Sequence, residues 1–426
     1  MKNQITKKIV QTRFIASRQD GGGANATCRR KSLRGFRGLL PAVLLLVAVL
    51  FMPATARAMP GGGTNGGSGT EGSPYTINNA NDWNTFKSYF AGSSQTNQNK
   101  HWKLTTDINI GSNYGVGSQS NPFQGTFDGG GHTITMNAIT ITSSSSPNAL
   151  FSVTRGAYFS NLTIVCPAIA IGAVAGVVYI GTLVALIQEE FSATNCHVKL
   201  TGASSVPFGS YIGGFAGAYF RITATTVPEF SFCSVEINSL AIGNPANTSS
   251  IFVLQGFGGF LGSDISGSGV SFKDCLVKIN TVTSQIPAGN DYGKDIGGFL
   301  GFGTIGIQFA DCVIDASMPI DKNAGRGQFV GYGINVSFTN CYNTKPNSNW
   351  NVGVGSQTSN STVSILTDWN TKNVYDKLER ANGGGSTIPS NEPGKKRWRY
   401  DNAAYPSYAS YVDIEADKKA YAIKIT

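Results

Sequence analysis

A short glycine-bounded phrase recurs along the chain and limits the folds that are possible. Its final glycines, Gly176, Gly217, Gly262 and Gly301, are 41, 45 and 39 residues apart, and a worn copy ends 30 residues later at Gly331. A unit this small cannot bury an apolar face alone, so successive copies must stack. The clear copies are Ile171-Gly-Ala-Val-Ala-Gly176, Ile212-Gly-Gly-Phe-Ala-Gly217, Phe257-Gly-Gly-Phe-Leu-Gly262 and Ile296-Gly-Gly-Phe-Leu-Gly301.

A second phrase, Phe-x-x-Cys-x-(Val/Ile), follows the glycine phrase. The clear copies contain Phe230 with Cys233, Phe272 with Cys275 and Phe309 with Cys312. The copy with Phe338 and Cys341 departs from the pattern at its last position, and the copy with Cys196 lacks the Phe. In the first copy, Leu162 occupies the position of the Cys.

Both phrases are short, rich in β-branched and aromatic residues, and bounded by Gly, Ser and Asn, which predicts short strands. Insertions of varying length between persistent phrases are typical of a solenoid with protruding loops. Stacked parallel strands lie ~4.8 Å apart, so equivalent residues should form columns. We expect a Phe column of Phe215, Phe260, Phe299 and Phe329, and a Cys column of Cys196, Cys233, Cys275, Cys312 and Cys341.

The Gly-Gly-Phe-Leu-Gly phrase followed by Asn/Asp-Cys resembles the GLUG repeat of bacterial surface and secreted proteins. The upstream stretches Trp102–Ile110 and Phe123–Ile134, and Trp398 with Tyr405-Pro406 near the end, are also similar to that family. The resemblance implies an all-β chain folded as a right-handed parallel β-helix solenoid. It also implies export, in a family where many members have no assigned activity.

The ends of such a solenoid need covers, because open strand edges invite strand addition. Asn81–Phe90 has helical spacing of apolar residues, which predicts a short helix N-capped by Asn81 or Asp82. Thr367–Ala381 predicts a second helix, with the aromatic tail 398–425 beside it. We therefore divide the chain into 1–58, a signal peptide; 59–73, a Gly/Ser-rich linker; 74–122, an N-terminal cap; 123–345, the β-helix; and 346–426, a C-terminal cap and tail.

The formal net charge of +9 is concentrated at the N-terminus. Residues 1–58 contain 11 of the 33 basic residues and one acid, so the remainder carries a net charge of −1. Basic residues precede the apolar run Leu39–Met52, and Ala56-Arg57-Ala58 is typical of a signal-peptidase site. We expect cleavage before Met59, an exported product and no transmembrane span afterwards. The uncharged run Val165–Ile187 is long enough for a membrane but falls in register with the repeats, so we interpret it as buried strand.

Cofactor and metal chemistry have little support in the sequence. The six cysteines after residue 58 have no metal or redox spacing, and we favour buried thiols over disulfides between neighbours; Cys166 falls outside the column. His101, His132 and His197 share no metal-ligand spacing, and a structural turn is favoured for Asp107–Gly111. Lys395–Tyr400 mixes charge with aromatics, but on a near-neutral exported chain a solvated strand is favoured over nucleic-acid binding.

Asp274 and Asp311 are the candidates for catalysis. Each precedes a column cysteine, and in adjacent coils their carboxyls would approach the ~5–5.5 Å separation of retaining glycosidases. Because Phe272 and Phe309 share parity with these acids, either a corner intervenes or the phenylalanines are exposed.

Three functions remain open. We favour binding, as an adhesin for a glycan or for a protein of a host or neighbouring cell, through loops and one face of the solenoid. The alternatives are a polysaccharide-cleaving enzyme, a lyase or glycosidase using acids on an outer face, and a purely structural surface spacer.

Overall fold

The computed structural model describes a mostly β chain with a large parallel sheet, which confirms the all-β prediction at that level. All of the described residues fall within the compact unit Ala56–Thr426. They are 66–91, 99–141, 148–172, 177–206, 211–221, 226–243, 256–284, 295–318, 326–339 and 341–343, with backbone alone at 354–356, 364–365, 398–399 and 407–408.

Two long strands each contribute to three parallel sets. They are β7 (Phe151–Cys166) and β10 (Val184–Val206), which pair with each other in parallel through nearly their whole length. Shorter strands continue the second and third sets on both sides and the first set beyond β10, and every pairing among them is parallel.

The first set continues the glycine phrase. It contains β12 (Ala216–Phe220), β16 (Leu261–Asp264), β20 (Leu300–Gly303), β24 (Val330–Tyr332) and β27 (Val354–Ser356). A separate five-stranded sheet precedes it in each repeat: β9 (Tyr179–Ile180), β11 (Tyr211–Gly213), β15 (Gly256–Gly258), β19 (Ile296–Gly297) and β23 (Arg326–Gly327).

The second set contains the phenylalanines of the second phrase. It comprises β1 (Tyr75–Ile77), β2 (Lys100–Leu104), β4 (Phe123–Asp128), the middles of β7 and β10, β13 (Glu229–Ser231), β17 (Val270–Lys273), β21 (Ile307–Ala310) and β25 (Ser337–Thr339).

The third set follows the cysteines. It comprises β3 (Ile108–Gly111), β5 (Thr133–Met136), the ends of β7 and β10, β14 (Ser234–Ile242), β18 (Leu276–Ser284), β22 (Val313–Asp315), β26 (Tyr342–Asn343) and β28 (Ser364–Ile365). In the same large sheet, β6 (Ile139–Ile141) pairs with β8 (Ile169–Ile171). A separate two-stranded sheet consists of β29 (Trp398–Arg399) and β30 (Ser407–Tyr408), which are antiparallel.

A corner separates the second set from the third. The corner residues have φ between +51° and +56°, a left-handed conformation that suits Asn and Asp better than other non-glycine residues. The corner explains how the phenylalanines and the acids can share sequence parity while each phenylalanine stays inside. These residues are Asn161, Asn195, Phe232, Asp274 and Asp311.

The core consists of two interlocking rows of phenylalanine. Within each row the rings stack at 5.0–5.6 Å, and between rows they meet edge to face, as Phe260 and Phe272 do at 5.7 Å and 70°. The glycine phrase lets the backbones approach, since a Cβ on Gly259 would lie 2.1 Å from the carbonyl oxygen of Gly298. The rows are Phe215, Phe260, Phe299 and Phe329, and Phe230, Phe272, Phe309 and Phe338.

The helix among the described residues, α1 (Ala80–Tyr89), packs the ring of Phe86 against those of Trp102 in β2 and Phe123 in β4. Its N-cap is Asn79, whose side chain accepts from the backbone N–H of Asn81 and Asp82, so the prediction that Asn81 or Asp82 caps the helix was wrong by two or three residues. The reason is local, because an Asn in extended conformation at that point satisfies two amide donors at once. Trp83 and Phe86 are fully buried.

Several predictions fall outside the described residues: the signal peptide 1–58, the helix Thr367–Ala381 and most of the tail. The domain boundaries after 122 and 345 stay predictions. Within the described residues, no helix is long and apolar enough to cross a membrane. The described parts of Val165–Ile187 are strand or irregular.

Candidate functional site

The outer side of the second set presents two polar rows, which we call the polar face. Within each row every residue pairs in register with the next, and none of the sixteen side chains is buried. The first row is His101, Thr126, Tyr158, Ser192, Glu229, Ser271, Gln308 and Ser337. The second row is Lys103, Asp128, Ser160, Thr194, Ser231, Lys273, Ala310 and Thr339.

Strand alternation creates this face. In β13 the ring of Phe230 points into the core, so Glu229 and Ser231 on either side point outward. The same holds in each following repeat, because the strands stack without a register shift. Eight strands at ~4.8 Å give a face about 34 Å long.

A cavity of about 390 Å³ lies at the first-strand end of the polar face. Its polar lining includes Glu71, His101, Lys103, Asp128 and Asn161. This volume is within the range of small-molecule sites. The cavity therefore offers donors, acceptors and both signs of charge at one end of the face.

Asp128 organises the cavity wall. One carboxylate oxygen, Oδ1, accepts from the amide of Gly130 at 3.0 Å, the hydroxyl of Ser160 at 3.3 Å and the amide of Asn161 at 3.0 Å. The other oxygen, Oδ2, lies 3.5 Å from Nζ of Lys103. Because both oxygens already have partners, Asp128 is suited to fixing its neighbours rather than to moving a proton.

A chain of hydrogen bonds leads from Asp128 along the corner. Asn195 donates to the amide oxygen of Asn161 at 2.9 Å, and Nε2 of His197 lies 3.0 Å from the amide oxygen of Asn195. Nδ1 of His197 lies 2.9 Å from the hydroxyl of Ser234. Burial, aided by the charge of nearby Lys199, lowers the pKa of His197 to about 4, so the imidazole is neutral at pH 7.

The Ser234–His197 contact is not arranged as a nucleophile and base. Ser234 is 3% exposed, so a substrate cannot reach its hydroxyl without rearrangement. A neutral imidazole that accepts from Ser234 and donates to Asn195 satisfies all three side chains. We interpret this chain as a structural seam between the second and third sets.

Tyr158 is the most exposed aromatic residue on the polar face, at 44%. Its hydroxyl donates to Oε2 of Glu190 at 2.9 Å. This hydrogen bond, with partial burial second, raises the pKa of the Tyr158 phenol, so the ring is held neutral and in a fixed orientation. A fixed, exposed ring beside hydroxyl groups is suited to contact with the C–H face of a sugar.

Asp274 and Asp311 lie at the corner and not on the outer face of a sheet. Asp274 is fully buried and Asp311 is 4% exposed, and both have positive φ. Their amides donate to the carbonyls of Ala310 and Thr339 in the following strand, each at 2.9 Å. A polymer on the polar face would not touch these carboxyls.

The six described cysteines are all free and buried. Sγ of Cys312 lies within hydrogen-bonding distance of two carbonyls, 3.4 Å from that of Phe272 and 3.3 Å from that of Ala310. Burial raises its pKa well above the usual value, as it does for Cys196, so both are protonated and unreactive. Cys166 pairs in register with Leu200, four residues beyond Leu162, which pairs with Cys196 and holds the cysteine position of this strand.

The histidines are dispersed in the structure. His101 lines the cavity, and Nδ1 of His132 lies 3.3 Å from Oδ1 of Asp107. No group of three or more His, Cys, Asp or Glu side chains among the described residues is arranged to hold a metal ion.

Sequence reasoning did not identify the polar face, although a signal was present. The residues on either side of each phrase phenylalanine, such as Ser271 and Lys273 around Phe272, are almost all polar. Because the phenylalanine is buried, strand alternation predicts that the residues on either side of it point outward.

Comparisons with known proteins give little further guidance. No family model matches the chain, and no curated protein does so. A solved structure from Bacteroides ovatus, described as a "putative immunoglobulin A1 protease", is 16% identical, with a TM-score of 0.47 over 82% of this chain and 96% of that one. At that score, the similarity supports no inference about fold or activity.

Proposed function

We propose that this protein is an exported bacterial surface protein that binds glycan through the polar face. The observation that carries the proposal is the in-register pair of rows of hydroxyl, amide and charged side chains along eight strands. A repetitive ligand is best matched by a repetitive surface, and hydroxyl and amide groups are the partners that sugar hydroxyls require.

The proposed architecture is a right-handed parallel β-helix related to the GLUG-repeat proteins. Support comes from the exclusively parallel pairing between equivalent strands, the corner at Asn161 and its equivalents, and the stacked phenylalanine rows. A rod of this kind is rigid, because each strand is bonded to the repeat before and the repeat after it. Rigidity lowers the entropic cost of binding an extended polymer.

The composition of the face favours a ligand of low charge. The rows contain lysines at 103 and 273 and acids at 128 and 229, and most of the other members are neutral. Such a surface lacks the basic stripe that nucleic-acid binding requires. The exposed ring of Tyr158 and the cavity at the first-strand end add the apolar contact and the concave pocket that sugar recognition uses.

Binding is favoured over cleavage of polysaccharide. Asp274 and Asp311 are buried at the corner, Asp128 has partners at both oxygens, and Glu229 is the one other acid of the two rows. A glycosidase needs a pair of acids about 5–10 Å apart across the scissile bond. Export rests on the sequence of residues 1–58, and surface association rests on the resemblance to the GLUG-repeat proteins.

The test is retention of residues 59–426 on an immobilised panel of bacterial and host glycans, with released fragments recorded at the same time. We expect saturable retention without fragments. A double variant on the face, Tyr158→Ala with Thr194→Lys, should weaken retention at least tenfold, because it removes the ring and places a long cation across the second row. Lys278→Ala, on the outer side of the third set, is the matched control and should bind normally.

Equal retention by the face variant and the wild type would contradict the polar face as the binding surface. Fragments that disappear in Asp274→Asn or Asp311→Asn would establish cleavage instead. No retention on any glycan would favour a protein partner or a structural spacer.

A further inference from the structure

Three outward residues form a short row on the first set of strands. Arg155 pairs in register with Gln188, and Gln188 with Phe220. Strand alternation places them on the same side as Val153, Leu186 and Ala218, which form a small buried cluster separate from the main core. Beyond that cluster this side opens to solvent, because Phe220 is 43% exposed and Arg155 is partly exposed.

The guanidinium of Arg155 has no counter-ion within the described residues. Its Nη2 donates to Oε1 of Gln188 at 2.7 Å, and its Nε is buried without a hydrogen-bond partner. The ion pairs of the described residues involve other side chains, so none of their carboxylate oxygens lies within 4.0 Å of Arg155. A partly buried charge without a compensating anion is unfavourable, which favours an anionic ligand at the part of the Arg155 guanidinium that is open to solvent.

The neighbours of Arg155 complete a recognition site. Gln188 is 7% exposed and uses its amide oxygen for Arg155, which leaves its amide nitrogen as a donor with no partner in the described chain. Phe220 is 43% exposed. We infer that Arg155 and Gln188 bind the carboxylate of an acidic sugar while the ring of Phe220 contacts its apolar face. The choice of a sugar as the carrier of the carboxylate rests on the proposed function.

A carboxylate suits this site better than a more highly charged anion. The planar fork of a guanidinium matches the two oxygens of a carboxylate. Glu189 and Glu190 follow Gln188 in the chain, with Glu189 at a bend of φ +64° and Glu190 held by Tyr158. These two acids lower the local positive potential, so each further negative charge on a ligand is penalised.

The experiment is saturation-transfer NMR of D-glucuronate, D-glucose and glucose 6-phosphate with residues 59–426; the phosphate carries about 1.5–2 negative charges at pH 7. We expect a saturable signal for glucuronate that is at least tenfold stronger than the signals for glucose and the phosphate. Arg155→Gln should reduce it at least tenfold, and Arg155→Lys should reduce it less, because a lysine keeps the charge and lacks the fork. Lys199→Gln removes one positive charge from an exposed position in the third set and should leave the signal unchanged. Thermal unfolding of each variant confirms that it is folded.

A glucuronate signal that is absent in the wild type, unchanged in Arg155→Gln, or matched by glucose would overturn the site. An equal signal from the phosphate would overturn the assignment to a carboxylate. The glycan panel is read separately: retention of neutral glycans without a glucuronate signal contradicts only this inference, and a glucuronate signal without retention of any glycan contradicts only the proposed function.

Discussion

Phe272 and Phe309 lie one above the other in successive repeats, with ring centroids 5.0 Å apart and an angle of 7° between the planes. Both rings are buried, and each also meets the ring of Phe299 edge to face. The stacking follows from the in-register pairing of β17 with β21, which places equivalent side chains directly over each other. The core is therefore a set of rows in which each ring supports two neighbouring repeats.

Removal of a ring from the middle of a row should destabilise the fold strongly. Phe272→Ala should lower the free energy of unfolding by about 3–5 kcal/mol, because it deletes buried surface and leaves a cavity between repeats. Gln308→Ala, on the polar face, should change it by less than about 0.5 kcal/mol. Urea unfolding followed by circular dichroism measures both, and similar values for the two variants would contradict the row as the core.

The corner conformation predicts a ranked pair of substitutions at Asn195. Its φ is +53°, and its side chain bonds to both Asn161 and His197. Asn195→Gly removes the bonds and keeps the backbone conformation, while Asn195→Val removes the bonds and opposes the conformation. We expect valine to cost about 1–2 kcal/mol more than glycine in unfolding free energy. Equal costs would mean that the corner does not require a left-handed residue.

The thiols should be inert in the folded protein. Because all six described cysteines are buried, alkylation of residues 59–426 with iodoacetamide under native conditions should leave them unmodified, and alkylation in guanidinium should modify all six. Mass spectrometry of non-reduced peptides reports the outcome. Disulfides between neighbouring cysteines in that experiment would show that the row oxidises after folding.

Acid should destabilise the fold partly through His197. Its pKa is about 4 in the folded state and near 6.5 when unfolded, so the unfolded chain binds the proton more readily. The contribution of this residue is complete above pH 6.5 and is lost as the pH falls toward 4, with an upper limit of about 3 kcal/mol. His197→Gln should show a shallower decline in stability between pH 6.5 and 4, measured by urea unfolding. If stability declines equally in the wild type and in His197→Gln, the role of His197 is contradicted, since the carboxyl groups titrate in the same way in both.

The repeats could be identified in the sequence because equivalent positions of stacked repeats require similar residues, so the same residue types recur along the chain. The spacing of Gly217, Gly262 and Gly301 indicated strands that pair between repeats, and the phrase Phe-x-x-Cys indicated buried positions. The predicted N-cap of α1, Asn81 or Asp82, was wrong because the start of a helix depends on the local conformation of a single residue. Asn79 has the same capping side chain as Asn81, and only the structure shows which of the two is the cap.

The apolar residues that face inward could be identified from their order along the chain, since buried positions recur in each repeat with the same alternation. Where the remaining residues meet depends on how the strands of successive repeats pair. The corner at Asp274 turned two candidate acids inward, and the parallel register aligned Ser192, Glu229 and Ser271 into one face although long insertions separate them in the chain. The lack of a carboxylate beside Arg155 among the described residues is also a tertiary property, because it depends on which carboxylates the fold leaves more than 4.0 Å away. Contacts between repeats depend on register, and register is fixed only when the whole stack forms.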